Sequence, residues 1–231
     1  MAGQAVVLYH FHDTSAEAGV RRPGELNDNQ ALRPEGANLA AFLWNLRDSN
    51  PLQAARIRDA VRLAAPFFDD FLLRPMTHAP HLIQLEWRQK GSDFPFRAVH
   101  LSDGTLRFIC LATALLQPVP PSTILVDEPE LGLHPHAIEL LAALFRKASS
   151  TGGSQIIVST QSAALLSEFA PEDVVVVERE RGESVFRRLD VAQLAEWLEE
   201  YGLGELWQKN VLGASSREES IPAFQGGSGR E

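Results

Sequence analysis

The strongest constraint on this chain is a set of continuous apolar runs in its second half: Thr123-Ile124-Leu125-Val126, Gln155-Ile156-Ile157-Val158 and Val174-Val175-Val176-Val177. Alternation of apolar and polar residues is missing from all three, so each reads as a strand buried on both faces. A helical pattern from His136 to Ala148, closed by Ser149–Gly153, separates the first two. A shorter one near Ser162–Phe169 precedes the third. Strands of this kind, separated by helices, predict an α/β fold with a parallel sheet and crossover helices.

The first half has a different texture. Ala5–Phe11 reads as a short strand, and residues 13–36 lose all periodicity and collect turn residues, which predicts a surface loop. Leu39, Phe42, Leu43 and Leu46 share one helical face. At Asn50-Pro51 that helix ends; Asn50 suits the cap, and Pro51 the first turn, of a second helix reaching Ala65 before Pro66. Alternation over His81–Gln89 and Phe94–His100 predicts two strands joined at Lys90-Gly91-Ser92. A helix is expected from Asp103 to Leu116, a hairpin strand over Arg187–Asp190 and a last helix over Val191–Tyr201. The Ser-, Gly- and Glu-rich tail after Leu212 predicts disorder.

Composition narrows the function. Residues 1–100 carry 11 basic and 11 acidic side chains, whereas residues 101–231 carry 10 and 19, so the whole net charge of −9 falls in the second part. That balance argues against a chain that grips nucleic acid unaided. The single cysteine, Cys110, excludes an intrachain disulfide and a cysteine-built metal site, and its apolar neighbours predict a buried, inert thiol. With no apolar stretch long enough for a membrane span and no signal-peptide pattern at the N-terminus, the expectation is a soluble cytoplasmic protein. The seven histidines are scattered without paired carboxylates, which argues against a metal site built on them. Arg21-Arg22 and Arg187-Arg188 read as solvated surface, and the four tryptophans do not form a base-stacking platform.

The segment Thr123-Ile124-Leu125-Val126-Asp127-Glu128-Pro129 carries the most chemistry. A buried strand here delivers two adjacent carboxylates to the C-terminal edge of a parallel sheet, where ligands of open α/β sheets bind. Two acids side by side need a cation or strong donors, and a nucleotide-bound Mg2+ would serve. Asp127 would then hold the ion through water, and Glu128 would orient the attacking water. The alternative is a strand ending in a solvated acidic turn. In Leu101-Ser102-Asp103-Gly104-Thr105-Leu106-Arg107, Ser102 suits a helix N-cap and Gly104 permits close backbone approach at the first turn. A helix start of this kind can bind an anion such as a γ-phosphate, or it can be a capped helix and no more.

Taken in order, these segments resemble a family. Leu101–Arg107 resembles the LSGGQ-like signature of ABC-type ATPases, in the variant of the RecF/SMC-like branch and its bacterial AAA-type relatives. Ile124–Pro129 is similar to their Walker B motif, and Glu130-Leu131-Gly132-Leu133-His134-Pro135 to the D-loop that follows. Val158-Ser159-Thr160-Gln161-Ser162 falls where their switch follows the next strand. Tyr9–Ser15 and Gly36–Ala40 resemble the linker region, so the likeness covers roughly residues 5–190. It implies a partial P-loop NTPase fold, like an ABC-ATPase head, with a helical linker. Residues 1–100 would hold the rest of the N-terminal lobe and the linker, 101–190 the signature, Walker B and switch, and 191–231 a C-terminal helix and tail.

The resemblance implies ATP and Mg2+ as cofactors. Asp127 would be the Mg2+ residue, and Glu128 and Gln161 the catalytic ones. Ser102, Asp103 and Gly104 would contact ATP held by a partner, with His134 at the D-loop; a turn histidine is the equal alternative. Two departures stand out. The switch residue, usually histidine, is Gln161, which can donate a hydrogen bond but cannot carry a proton charge. And no Gly-Lys pair exists anywhere in the chain, so the Gly-x-x-x-x-Gly-Lys-Ser/Thr phosphate loop is missing. The resemblance therefore implies a homodimer or heterodimer with a P-loop-bearing subunit or lobe, with nucleic acid reached only through the full assembly. A non-catalytic module that supplies the signature in trans is the alternative. A DNA-end or anti-phage effector is a third reading, without a nuclease-like acidic cluster to support it.

Overall fold

The computed structural model describes residues 6–212. The tail beyond Leu212, expected to be disordered, lies outside the described residues. The chain divides into two compact units, Met1–Glu168 and Phe169–Glu231.

The first unit opens with β1 (Val6–Tyr9), a loop holding the short β2 (Gly24–Glu25), and the helices α1 (Leu39–Ser49) and α2 (Pro51–Ala64). As its sequence predicts, α2 is capped by Asn50, whose side-chain oxygen accepts from Gln53 N at 3.3 Å, with Pro51 in the first turn. Five strands follow: β3 (Phe68–Leu72), β4 (Pro75–Met76), β5 (Ala79–Ile83), β6 (Glu86–Gln89) and β7 (Pro95–Arg97). Then come α3 (Asp103–Leu116), β8 (Thr123–Asp127), α4 (Pro135–Gly152), β9 (Gln155–Ser159) and α5 (Ala163–Leu166). Apolar nearly all round, α3 is buried along almost its whole length, as a central helix must be. Gly153 ends α4 in the left-handed conformation that a helix C-terminus favours.

The α/β core is a parallel three-stranded sheet in the order β1-β8-β9. Its register aligns Leu8, Leu125 and Ile157 in one row and Tyr9, Val126 and Val158 in the next. Here the expectation of strands buried on both faces is corrected. Val7, Tyr9, Ile124 and Val126 are buried, but on the other face Val6, Leu8 and Ile157 are 61%, 42% and 47% exposed.

The third apolar run also pairs differently from the expectation. In the second unit β10 (Val175–Glu180) joins β11 (Glu183–Arg188) in an antiparallel hairpin, and β1 is the third strand of the parallel sheet. The cause is local: Arg181 and Gly182 both take positive φ (51° and 85°), the geometry of a two-residue hairpin turn. The unit continues with α6 (Val191–Glu200), capped by Asp190, and α7 (Leu203–Gln208).

Two further corrections concern the small sheets. The expected strand His81–Gln89 is two strands in different sheets, β5 in the order β2-β5-β4 and β6 in the order β3-β6-β7. Of Phe94–His100 only β7 is extended, and Ala98–His100 coils into a short 3-10 turn. Phe71, Trp87 and Phe96 align across β3, β6 and β7 and build a satellite aromatic core, a cross-strand ladder that replaces simple alternation. Among the described residues no helix is long and apolar enough to cross a membrane.

Candidate functional site

The described residues hold the candidate side chains in two clusters. The first lies at the C-terminal edge of β8. Asp127 ends the strand, exposed, directly across from Ser159 of β9, whose hydroxyl donates to Asp127 Oδ1. The backbone carbonyl of Asp127 accepts from His12 Nε2 at 2.8 Å. Glu128 follows with φ of 38°, a left-handed conformation that costs a residue with a side chain roughly 1–2 kcal/mol. The conformation is held from both sides: Glu128 N donates to Ser159 O at 2.9 Å, and Glu128 O accepts from Leu131 N at 3.3 Å. It turns the carboxylate toward the chain after β9, where Gln161 Nε2 lies 3.5 Å from Glu128 Oε1. Strained backbone at the end of a strand is a recurrent mark of sites where a side chain is aimed for a purpose.

The second cluster is the start of α3. Ser102 caps the helix, accepting from Thr105 N at 3.2 Å and sharing a 2.9 Å hydrogen bond with the Thr105 hydroxyl. Asp103 accepts from Arg21 Nη2 at 2.7 Å, and that guanidinium also holds the carbonyls of Thr14 and Leu101. Gly104 does permit a close approach, but the partner is the chain itself. A Cβ at Gly104 would sit 1.9 Å from Gly132 O. His134 caps α4, its Nδ1 accepting from His136 N at 3.3 Å. Ser102, Gly104, Thr105, Gly132 and His134 line one shallow groove.

Arg107 joins the clusters. Its buried guanidinium donates to Phe11 O at 3.0 Å, to His12 O at 3.2 Å and to Leu131 O. Burial lowers its pKa, with Asp103 acting the other way. The start of α3, the segment after β1 and the turn after Glu128 are thereby one connected piece. The adjacent thiol of Cys110 is buried and pushed up to about 12, as an inert cysteine should be.

Sequence reasoning placed Ser159, His12, Arg107, Glu130 and Thr160 within its motif segments but gave none of them a role of its own. Ser159 could have been found by placing the two parallel runs in register. A lone arginine within Leu106-Arg107-Phe108-Ile109 was itself a signal, since a buried charge must be satisfied. No sequence signal connected His12 to Asp127, 115 positions apart.

Among the described residues no group of three or more His, Cys, Asp or Glu is assembled to hold a metal. The donor set at β8 nonetheless fits Mg2+, an oxygen-seeking ion that keeps most of its waters and takes one or two protein ligands plus phosphate oxygens. Asp127 and Ser159 are such oxygens, side by side and exposed.

The sequence profile of a family described as "AAA domain, putative AbiEii toxin, Type IV TA system" matches residues 9–167, a span that contains both clusters. Among solved structures, an Smc head domain with an extended coiled coil, bound to the C-terminal domain of ScpA and derived from Pyrococcus furiosus, is similar at 19% identity with a TM-score of 0.50. The match covers 72% of this chain and 40% of that one. An SmcHead bound to the C-winged helix domain of ScpA is similar at 16% identity and a TM-score of 0.50, covering 71% and 47%. This chain thus spans less than half the length of either, and at these identities the likeness concerns the α/β fold of an ATPase head alone. No curated protein matches the chain.

Proposed function

The chain belongs to this AAA-domain family of P-loop ATPase type, and on that premise we propose that it supplies the carboxylate and signature half of an ATP-hydrolysing head, the phosphate loop coming from another lobe or polypeptide. The observation that carries the proposal is the open face of the β1-β8-β9 sheet. Leu8, Leu125 and Ile157 form an apolar row across it, and Asp127 follows two residues after Leu125 on the same face. A parallel sheet ordinarily has both faces covered by helices. The element laid over this row would end beside Asp127, which is where a phosphate loop would be needed. The lack of any Gly-Lys pair in the chain supports the same reading.

In this reading Asp127, with Ser159, holds Mg2+, which when bound neutralises phosphate charge. Glu128 orients the attacking water and accepts its proton, and Gln161 fixes the Glu128 carboxylate from 3.5 Å without itself taking a charge. Ser102 and the first free amides of α3 present donors to a γ-phosphate held by a second head, with Asp103 and Gly104 shaping the backbone there and His134 at the rim of the groove. Two heads would meet head to tail around ATP.

The test is co-expression with a Gly-x-x-x-x-Gly-Lys-Ser/Thr-bearing partner, followed by measurement of ATP turnover. Turnover should appear only with the partner and fall roughly 100-fold in Glu128→Gln. Turnover that persists unchanged in Glu128→Gln, or that never appears, would overturn the catalytic reading in favour of a non-catalytic module supplying the signature in trans.

A further inference from the structure

Glu130 has no part in the chemistry above, yet its carboxylate reaches the switch. Oε1 accepts from Thr160 Oγ1 at 2.5 Å, while Oε2 is buried with no hydrogen-bond partner among the described residues. A buried carboxylate oxygen without a donor is costly, so the Thr160 hydroxyl on the other oxygen is a donor on which this acid depends. Thr160 Oγ1 in turn accepts from Ser162 N at 2.9 Å, and the Ser162 hydroxyl accepts from Leu165 N at 3.2 Å at the start of α5. Both neighbours of Gln161 are therefore tied, one directly and one through Thr160, to a side chain two residues past Glu128. The ladder between β8 and β9 stops at Asp127 and Ser159. Beyond it the Glu130–Thr160 bond bridges the chain after β8 and the chain after β9, the two segments that carry Glu128 and Gln161.

We infer that Glu130 is a positioning residue that sets Gln161 against Glu128 through Thr160. The functional weight of this rests on the reading of Glu128 and Gln161 as the pair that handles water, whereas the bridge itself does not.

The experiment is amide hydrogen exchange on the full chain, comparing wild type with Glu130→Ala, Glu130→Gln, Thr160→Val and Thr160→Ser. Ser162 N should exchange roughly tenfold faster in Thr160→Val and about threefold faster in Glu130→Ala. Glu130→Gln and Thr160→Ser each keep the atom that makes the bond and should restore protection. Amides of α3 and α4 should keep wild-type rates throughout. Unchanged Ser162 exchange in Glu130→Ala, or a uniform acceleration over the whole chain, would overturn the bridge. In the active assembly Glu130→Ala should lower kcat at unchanged KM for ATP, with Glu130→Gln restoring it; an unchanged kcat would overturn the positioning role. An assembly without turnover, together with the expected Ser162 shift, would sink the ATPase reading and leave the bridge standing.

Discussion

On one face of the parallel sheet Val7, Tyr9, Ile124 and Val126 are buried, Ile124 completely; on the other Val6, Leu8 and Ile157 stand in the open. The two faces are built from the same kinds of residue, one position apart on the same strands. Their apolar character therefore cannot explain the difference; what explains it is that the described residues lay cover over one face only. A run that is apolar on both sides calls for two covers. The described residues supply one of them, and the row left open leads to Asp127. On the covered side the contacts are complete in a stricter sense: Gly104 meets Gly132 backbone to backbone, and every arm of Arg107 is engaged by a carbonyl.

If the covered side is as closely fitted as this implies, Gly104→Ala should be the most damaging small change. Its methyl group would collide with Gly132 O, and relief requires movement of backbone, so a loss of roughly 3 kcal/mol or more is expected in chemical denaturation. Ile124→Ala should cost about 3 kcal/mol through the cavity it leaves. On the open face the same measurement on Leu8→Ala should register within about 0.5 kcal/mol in the chain alone. Equal costs for Ile124→Ala and Leu8→Ala would erase the contrast between the faces.

Leu8→Asp sharpens it from the other side. It should leave the isolated chain folded and, in the proposed assembly, weaken capture of a P-loop-bearing partner at least tenfold, an effect of about 1.4 kcal/mol or more, read by calorimetry. Undiminished capture would mean that the cover lies elsewhere.

The pH response offers a smaller test of closure on the buried side. Burial pushes the Cys110 thiol up to about 12, above the ordinary thiol value of 9.0. Well below pH 9 neither folded nor unfolded chain ionises there, and the contribution to stability is complete. As pH rises from about 9 to about 12 the unfolded chain loses the proton first, so stability should fall over that window. Cys110→Ser should flatten the fall, and the native thiol should resist alkylation at pH 8.

Much of the site is legible in the sequence, because its parts are local. Ser102 as the cap of α3, Asn50 with Pro51 at α2, and Asp127-Glu128 at the end of an apolar strand depend on residues within a few positions. The role of Gly104 is legible only by half: close backbone approach follows from the glycine, but its partner, Gly132, does not. The strand over His81–Gln89 fails for a similar reason, since β5 and β6 part company at Gln84-Leu85 to enter different sheets.

The sequence by itself determined the α/β class, the order of the motifs, the helix starts and the presence of two carboxylates at a strand end. These are set by hydrogen bonds and steric limits that act over one turn of chain. Only the tertiary structure decided that β1 completes the parallel sheet, that β10 folds back on β11, that His12 and Ser159 flank Asp127, and which sheet face lies open. Each of those joins segments by pairing across the chain or by packing, and an apolar strand carries no mark of which neighbour will cover it.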